Sequence, residues 1–260
     1  MSINVGRRSA LLGFSAAALG AAALSADAGR AVAAESPMVH GATGLRDLSA
    51  RLAKAPRRRD FKTVPMILDH PDLWDAAALN EVIGYRGAYK QVWDNTGIGS
   101  PWLNLMRNSI NAQVFSFRHP DFLAVSATHG SAHLALFDQP TWDKYQLAKL
   151  AGGDFKTNTL IVPEHVPSSL SDFEDPKSVF GAAGDIIPAL QSRGVVFLAC
   201  HNAIWELTAK LLSLGVNPDH KSHEAITAEL TNHLIDGAVL TPGIVATIPE
   251  LQRAGFHYAA

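Results

Sequence analysis

Val195-Val196-Phe197-Leu198-Ala199 is an unbroken apolar run between Gly194 and the polar turn Cys200-His201-Asn202. A strand wet on one face would alternate apolar and polar residues, because successive side chains point to opposite faces. An unbroken run needs cover on both faces, the condition of a central strand in a parallel sheet. Its flanks agree. Val179 to Ser192 reads as a helix closed by Gly194. Ala203 to Leu214 reads as another, with Ile204, Leu207, Leu211 and Leu214 on one face and Gly215 as its stop. Helix, two-sided strand and helix restrict the chain to layered α/β architectures.

The same alternation extends over residues 71–260. Asp72 caps a helix through Leu73, Trp74, Ala77, Leu79 and Val82, and Tyr89 to Trp93 is a strand ending at the turn Asp94-Asn95-Thr96-Gly97. Ser100-Pro101 opens a helix with Leu103, Met106, Ile110 and Val114 at helical spacing. Phe122 to Ala127 is a second strand, running into Thr128-His129-Gly130-Ser131 and a short helix through His133, Leu134 and Phe137. Pro140-Thr141-Trp142 starts another helical turn, and residues 151–176 form a loop-rich insertion. A helix from Ser222 to Leu234 leads to a strand at Gly237–Leu240; Pro242-Gly243 opens the last helix and Phe256-His257-Tyr258 is a closing strand. The expected fold is a single three-layer αβα sandwich over residues 71–260, with a mainly parallel sheet of about five strands.

Residues 35–70 have another composition. Arg46, Arg51, Lys54, Arg57, Arg58, Arg59 and Lys62 are spread among Pro37, Pro56 and Pro65. This reads as a basic flexible arm, in which Leu45, Leu48 and Leu52 permit one short amphipathic helix. Ahead of it, Gly6-Arg7-Arg8-Ser9-Ala10-Leu11-Leu12 is followed by no charge until Asp27. Residues 1–34 thus resemble a twin-arginine signal peptide, with Ala31-Val32-Ala33 or Val32-Ala33-Ala34 as a small-x-small cleavage site. Gly6 and Ala10 depart from the usual Ser/Thr and Phe, which keeps an ordinary secretory signal or an uncleaved anchor as alternatives. Leu11 to Leu24 is alanine-rich and shorter than the ~20 strongly apolar residues of a span. No later run is longer, so no stable membrane span is expected after signal cleavage, and the expected location is periplasmic or secreted.

The chain carries a net charge of −2; residues 1–34 hold Arg7, Arg8 and Arg30 against Asp27, so their removal leaves about −4. Nothing there suggests nucleic acid as a partner. Cys200 is the single cysteine, so no intramolecular disulfide can form. In an oxidising compartment a lone thiol is either buried as a small apolar group or put to use.

In open parallel sheets, ligands and chemistry gather beyond the carboxyl ends of the strands. Thr128-His129-Gly130 and Cys200-His201-Asn202 both follow strands, so His129, Gly130 and Cys200 are candidates for one rim. Cys200 also begins a helix, where free N–H groups and the helix dipole favour an anion such as a thiolate. His129 or His201 would accept or supply its proton. Asn202 reads as a helix cap, and Asn95 and Asn111 border the same cleft. A metal reading competes: His129 and His133 are four apart on one helix face, with Cys200 and His201 as further ligands suited to copper or zinc. That pair lacks a third fixed ligand, so no metal is assigned. His220 and His223 read as a hydrophilic loop.

Gly194 to Ala203, and the closing Leu240-Thr241-Pro242-Gly243-Ile244-Val245 with Leu251-Gln252-Arg253-Ala254-Gly255-Phe256-His257-Tyr258, resemble the DsrE/DsrF-like sulfur-relay family. The resemblance covers mainly residues 85–260. It implies a three-layer αβα domain, often a homo-oligomer (trimer or hexamer), with no organic cofactor. It also implies that Cys200 carries a persulfide between partner proteins, a sulfur donor and an acceptor. Export and the 151–176 insertion depart from the family's minimal pattern, and fold transfers better than function. Two functions are expected from this: a periplasmic carrier of sulfane sulfur on Cys200, or a non-catalytic small-ligand, metal-binding or assembly module on the same fold.

Overall fold

The computed structural model describes residues 36–162 and 166–260. The signal-peptide reading of residues 1–34 lies outside the described residues. Five strands form one sheet: β1 (Lys90–Asn95), β2 (Leu123–Thr128), β3 (Val196–Cys200), β4 (Val239–Thr241) and β5 (His257–Ala259). The helices are α1 (Thr43–Lys54), α2 (Ala76–Ile83), α3 (Trp102–Asn111), α4 (Gln139–Lys144), α5 (Ala148–Ala151), α6 (Ile187–Ser192), α7 (His201–Ser213), α8 (His223–Asn232) and α9 (Ile244–Arg253). A 3₁₀ helix, Gly130–Leu136, follows β2.

The strand order is β4-β3-β2-β1-β5, and every pairing is parallel. From β1 to β4 each strand is laid beside the last in one direction. Right-handed crossovers then put all of those connections on one face. The step from β4 to β5 runs back past β3, β2 and β1, so its helix α9 falls on the opposite face. The core residues divide accordingly. Phe197 and Ala199 of β3 pack with Met106 of α3, Leu190 of α6, Ile204 of α7 and Leu230 of α8. Val196, Leu198 and Cys200 pack with Leu48 of α1, Val82 of α2 and Leu251 of α9. The apolar run of β3 is buried along its whole length because it needs both layers. The three-layer α/β sandwich is therefore the fold.

Residues 36–70 differ from the expected flexible arm. Leu45, Leu48 and Leu52 of α1 are buried in the α2/α9 layer, and Phe61 and Val64 are buried against Ala228. Arg59 reaches Asp75 with two hydrogen bonds of 3.1 and 2.7 Å. Asp75, in turn, closes the edge of the sheet. Its Oδ2 accepts from Leu240 N–H at 2.7 Å, and its own N–H donates to Leu240 C=O at 3.1 Å. The amphipathic helix expected at Leu45, Leu48 and Leu52 is present as α1, and what the basic composition concealed is its place on the sheet.

The helix expected over 179–192 is also shorter. Gly181 and Gly184 pack against the carbonyl oxygens of Pro176 and Val179, where a Cβ would stand at 2.3 and 2.2 Å. The chain makes a 3₁₀ turn at Ala182–Gly184, and α6 starts only at Ile187 with Pro188 in its first turn. Asp185, between them, clips Arg107 of α3 at 2.6 Å.

Candidate functional site

β3 feeds α7 on one face and its neighbour β4 feeds α9 on the other. Adjacent strands whose connections part in this way open a crevice at their carboxyl ends. Cys200 is the last residue of β3 there, paired with Thr241 of β4. Its Sγ accepts the N–H of Ala203 at 3.4 Å and of Ile244 at 3.3 Å. Free N–H groups at helix starts need a partner. Cys200 is the N-cap of α7, while α9, which follows Gly243, has no side-chain cap of its own. One sulfur therefore caps two helices, with the positive end of each dipole directed at it. Its residue is only 4% exposed.

β1 runs two residues past the expected strand and carries Asp94 to the rim, with Asp94 paired to Ala127. Asp94 Oδ1 bonds His129 Nε2 at 2.6 Å, and Asp94 Oδ2 accepts from the Tyr258 hydroxyl at 2.8 Å. Side chains alternate along a strand. Asp94 thus shares the face of Val92, and His129 and Cys200 continue the faces of Ala127 and Leu198, all in the α9 layer. Tyr258, Asp94, His129 and Cys200 stand in a row over β5, β1, β2 and β3. His129 and Asp94 side chains are each 22% exposed, open enough to exchange protons with solvent. No hydrogen bond joins the His129 ring to Sγ among the described residues.

The other expected site residues are placed elsewhere. His201 is buried, with Nε2 on the carbonyl of Pro65 at 2.9 Å and Nδ1 without a partner among the described residues. Burial is the main cause that lowers its pKa, keeping the ring neutral. It packs the 60s segment rather than attending Cys200. Asn202 is exposed and is not the cap of α7, since the thiol takes that position; its amide lies against Gly243, 2.9 Å from where a Cβ would be. Asn95 is buried on the α3 side, donating to Ser126 Oγ at 2.8 Å and Met106 Sδ at 3.4 Å, away from any cleft. Asn111 is likewise tied to Phe180 C=O at 2.8 Å. Gly130 has φ +56, and a Cβ there would sit 2.6 Å from Thr96 C=O, so the rim turns after β1 and β2 touch backbone to backbone.

Asp94 and Tyr258 were not singled out by the sequence reasoning. Asp94 was absorbed into a turn signal, although a carboxylate and a histidine ending two successive strands is the pattern that would have revealed the pair. His133 enters the sequence reading of the site only as the partner of His129 in the metal alternative. It is 2% exposed, and neither ring nitrogen has a partner among the described residues. Desolvation, aided by His129 and His201, pushes its pKa down to about 3. Among the described residues no three or more His, Cys, Asp or Glu are grouped to hold a metal ion. His223 stacks on Trp205 at 3.9 Å and begins α8, so it is not part of a hydrophilic loop.

Cavities lie at both ends of the sheet. One of about 460 Å³, lined by Arg57, Gln191 and Asp236, lies at the amino ends of β3 and β4, remote from the rim chemistry. Another of about 240 Å³ lies between the 3₁₀ helix and α7, beside His133. Among the described residues no helix is long and apolar enough to cross a membrane. Comparison with protein-family models, with curated proteins and with solved structures finds no match to this chain.

Proposed function

We propose that this protein is an exported, periplasmic or secreted, sulfur-handling protein of the DsrE/DsrF-like kind, carrying sulfane sulfur on Cys200. One observation carries the reading: Cys200 Sγ sits at the switch point of the sheet and accepts two backbone N–H bonds from the starts of α7 and α9. Those donors suit a sulfur that bears negative charge, as a thiolate or a persulfide. In the transfer, the Cys200 thiolate attacks the outer sulfur of a donor persulfide. A new S–S bond forms on Cys200, the donor's S–S bond breaks, and the donor leaves as a thiolate that takes up a proton. In this reading His129, held by Asp94 at the neighbouring strand end, takes the thiol proton beforehand. With the sulfur buried, exchange needs the rim to open, so uptake is slower than for a free thiol.

The test is exposure of the folded protein to a persulfide donor, then alkylation and intact mass measurement. The expected result is a gain of sulfur mass that Cys200→Ser abolishes. No gain, with the thiol resisting alkylation until the chain unfolds, overturns the reading. Burial of Cys200 among Val196, Leu198 and Val239 favours one second reading, a non-catalytic ligand-binding or assembly module in which the thiol only caps helices.

A further inference from the structure

The cavity between the 3₁₀ helix and α7 belongs to neither Cys200 nor the Asp94–His129 pair. Its apolar wall is made by Leu134, Leu150 and Leu207, and its inner end by His133. A buried imidazole without hydrogen bonds is costly. Phe137 lies against the ring, with centroids 5.2 Å apart, but offers it no hydrogen bond. At the mouth are Glu206 and Lys210, one helical turn apart on α7 and both exposed. Residues at this spacing are neighbours on a helix surface. Yet neither side chain is in an ion pair or a hydrogen bond among the described residues. An anion and a cation, both uncommitted, thus flank the entrance to an apolar cavity ending in a neutral imidazole.

We infer that this cavity binds a small zwitterion, an aliphatic α-amino acid. Glu206 faces the ammonium, Lys210 the carboxylate, and the three leucines take the side chain. The His133 ring bounds the inner end without hydrogen-bonding the ligand, since both of its nitrogens are shielded from contact. A fatty-acid-like anion would leave Glu206 unmatched, and a simple amine would leave Lys210 unmatched. A cavity of about 240 Å³ has room for an amino acid.

Calorimetric titration with L-leucine tests this, with 4-methylpentanoate (no ammonium) and leucinamide (no carboxylate) as comparison ligands. Saturable binding of leucine is expected, with each comparison ligand weaker by about tenfold or more. Lys210→Met and Glu206→Gln, both at exposed positions, are each expected to weaken leucine by a similar factor. Glu206→Gln leaves 4-methylpentanoate unchanged, and Lys210→Met leaves leucinamide unchanged. The inference is overturned if leucine shows no saturation up to its solubility limit. It is equally overturned if a ligand lacking one charge binds as tightly as leucine, or if neither substitution alters leucine binding.

Discussion

The two faces of the sheet differ in how completely their polar groups are partnered, although each holds satisfied groups, Asn95 on the α3 side among them, and Arg57 Nε on the α1 side has no partner among the described residues. On the α1/α2/α9 side, Asp75, Asp94, His129 and Cys200 each have partners at hydrogen-bond distance. On the α3/α7/α8 side, Trp93 Nε1, Asn111 Oδ1, Thr231 Oγ1 and both His133 nitrogens have none among the described residues. A partnered polar group fixes geometry, whereas an unpartnered one weakens the fold unless something outside the chain completes it. The first face thus holds the rim residues in place, and the second carries the larger share of unpartnered buried atoms.

Acid should separate the two faces most strongly. Burial lowers His133 from 6.5 to about 3, so between those values the unfolded chain binds a proton that the folded chain excludes. Stability therefore falls as pH drops from 6.5 toward 3, by at most about 1.4 kcal/mol per unit from this one group. His201, lowered in the same direction by its burial, adds to the slope with the same sign. Denaturant titrations at several pH values should show His133→Leu with a shallower acid loss than the parent chain. An unchanged slope would mean that His133 finds a partner in solution, and the contrast between the faces would collapse.

On the partnered face the largest single loss should come from Arg59→Ala. It leaves Asp75, whose side chain is 1% exposed, without its cation at the edge of β4. Breaking a buried pair by removing one partner costs about 3 kcal/mol or more. A chemical-denaturation midpoint close to that of the parent would show that the 55–75 segment is not a supporting part of the sheet. Cys200 sharpens the same point at smaller scale. Cys200→Ala removes the cap of α7 and the acceptor for the first N–H of α9, a loss of about 1–2 kcal/mol. Cys200→Ser retains an oxygen acceptor and should lose less than about 1 kcal/mol. Equal losses in the two variants would reduce the sulfur to a packing group.

The layered fold was legible because each of its strongest signals is local. Val195 to Ala199 is apolar without interruption, and Gly215 and Gly255 mark the ends of α7 and α9 with φ of +70 and +91. The place of Cys200 at a strand end followed from the same run. Residues 36–70 were misread because charge and proline dominate their composition, while the three buried leucines of α1 acquire meaning only against a sheet assembled from residues far along the chain. The site partners failed for the same reason. Asp94 meets His129 across 35 residues and Tyr258 across 164, distances over which spacing carries no signal. The pairing of Ile244 N–H with Cys200 depends on β4 lying beside β3, which no local pattern specifies.

The smallest expected effect tests whether Asp94 organises the rim as an anion shared by two neighbours. The Tyr258 phenol ionises above its ordinary value, chiefly because its hydroxyl donates to the Asp94 carboxylate and would lose that bond on ionising. Asp94→Asn removes the negative charge while keeping an oxygen acceptor of similar shape, so Tyr258 should ionise at lower pH than in the parent chain. Alkaline absorbance titration of the two proteins, with Tyr258→Phe identifying the contribution of this one phenol, measures the change. Burial raises Tyr85 to about 12 and raises Tyr145 further, so neither obscures the difference. The same substitution should slow sulfur uptake by Cys200, since His129 loses the carboxylate that holds its ring. A shift in Tyr258 with uptake unchanged would keep Asp94 as a structural link between β1 and β5 and remove His129 from the proton path.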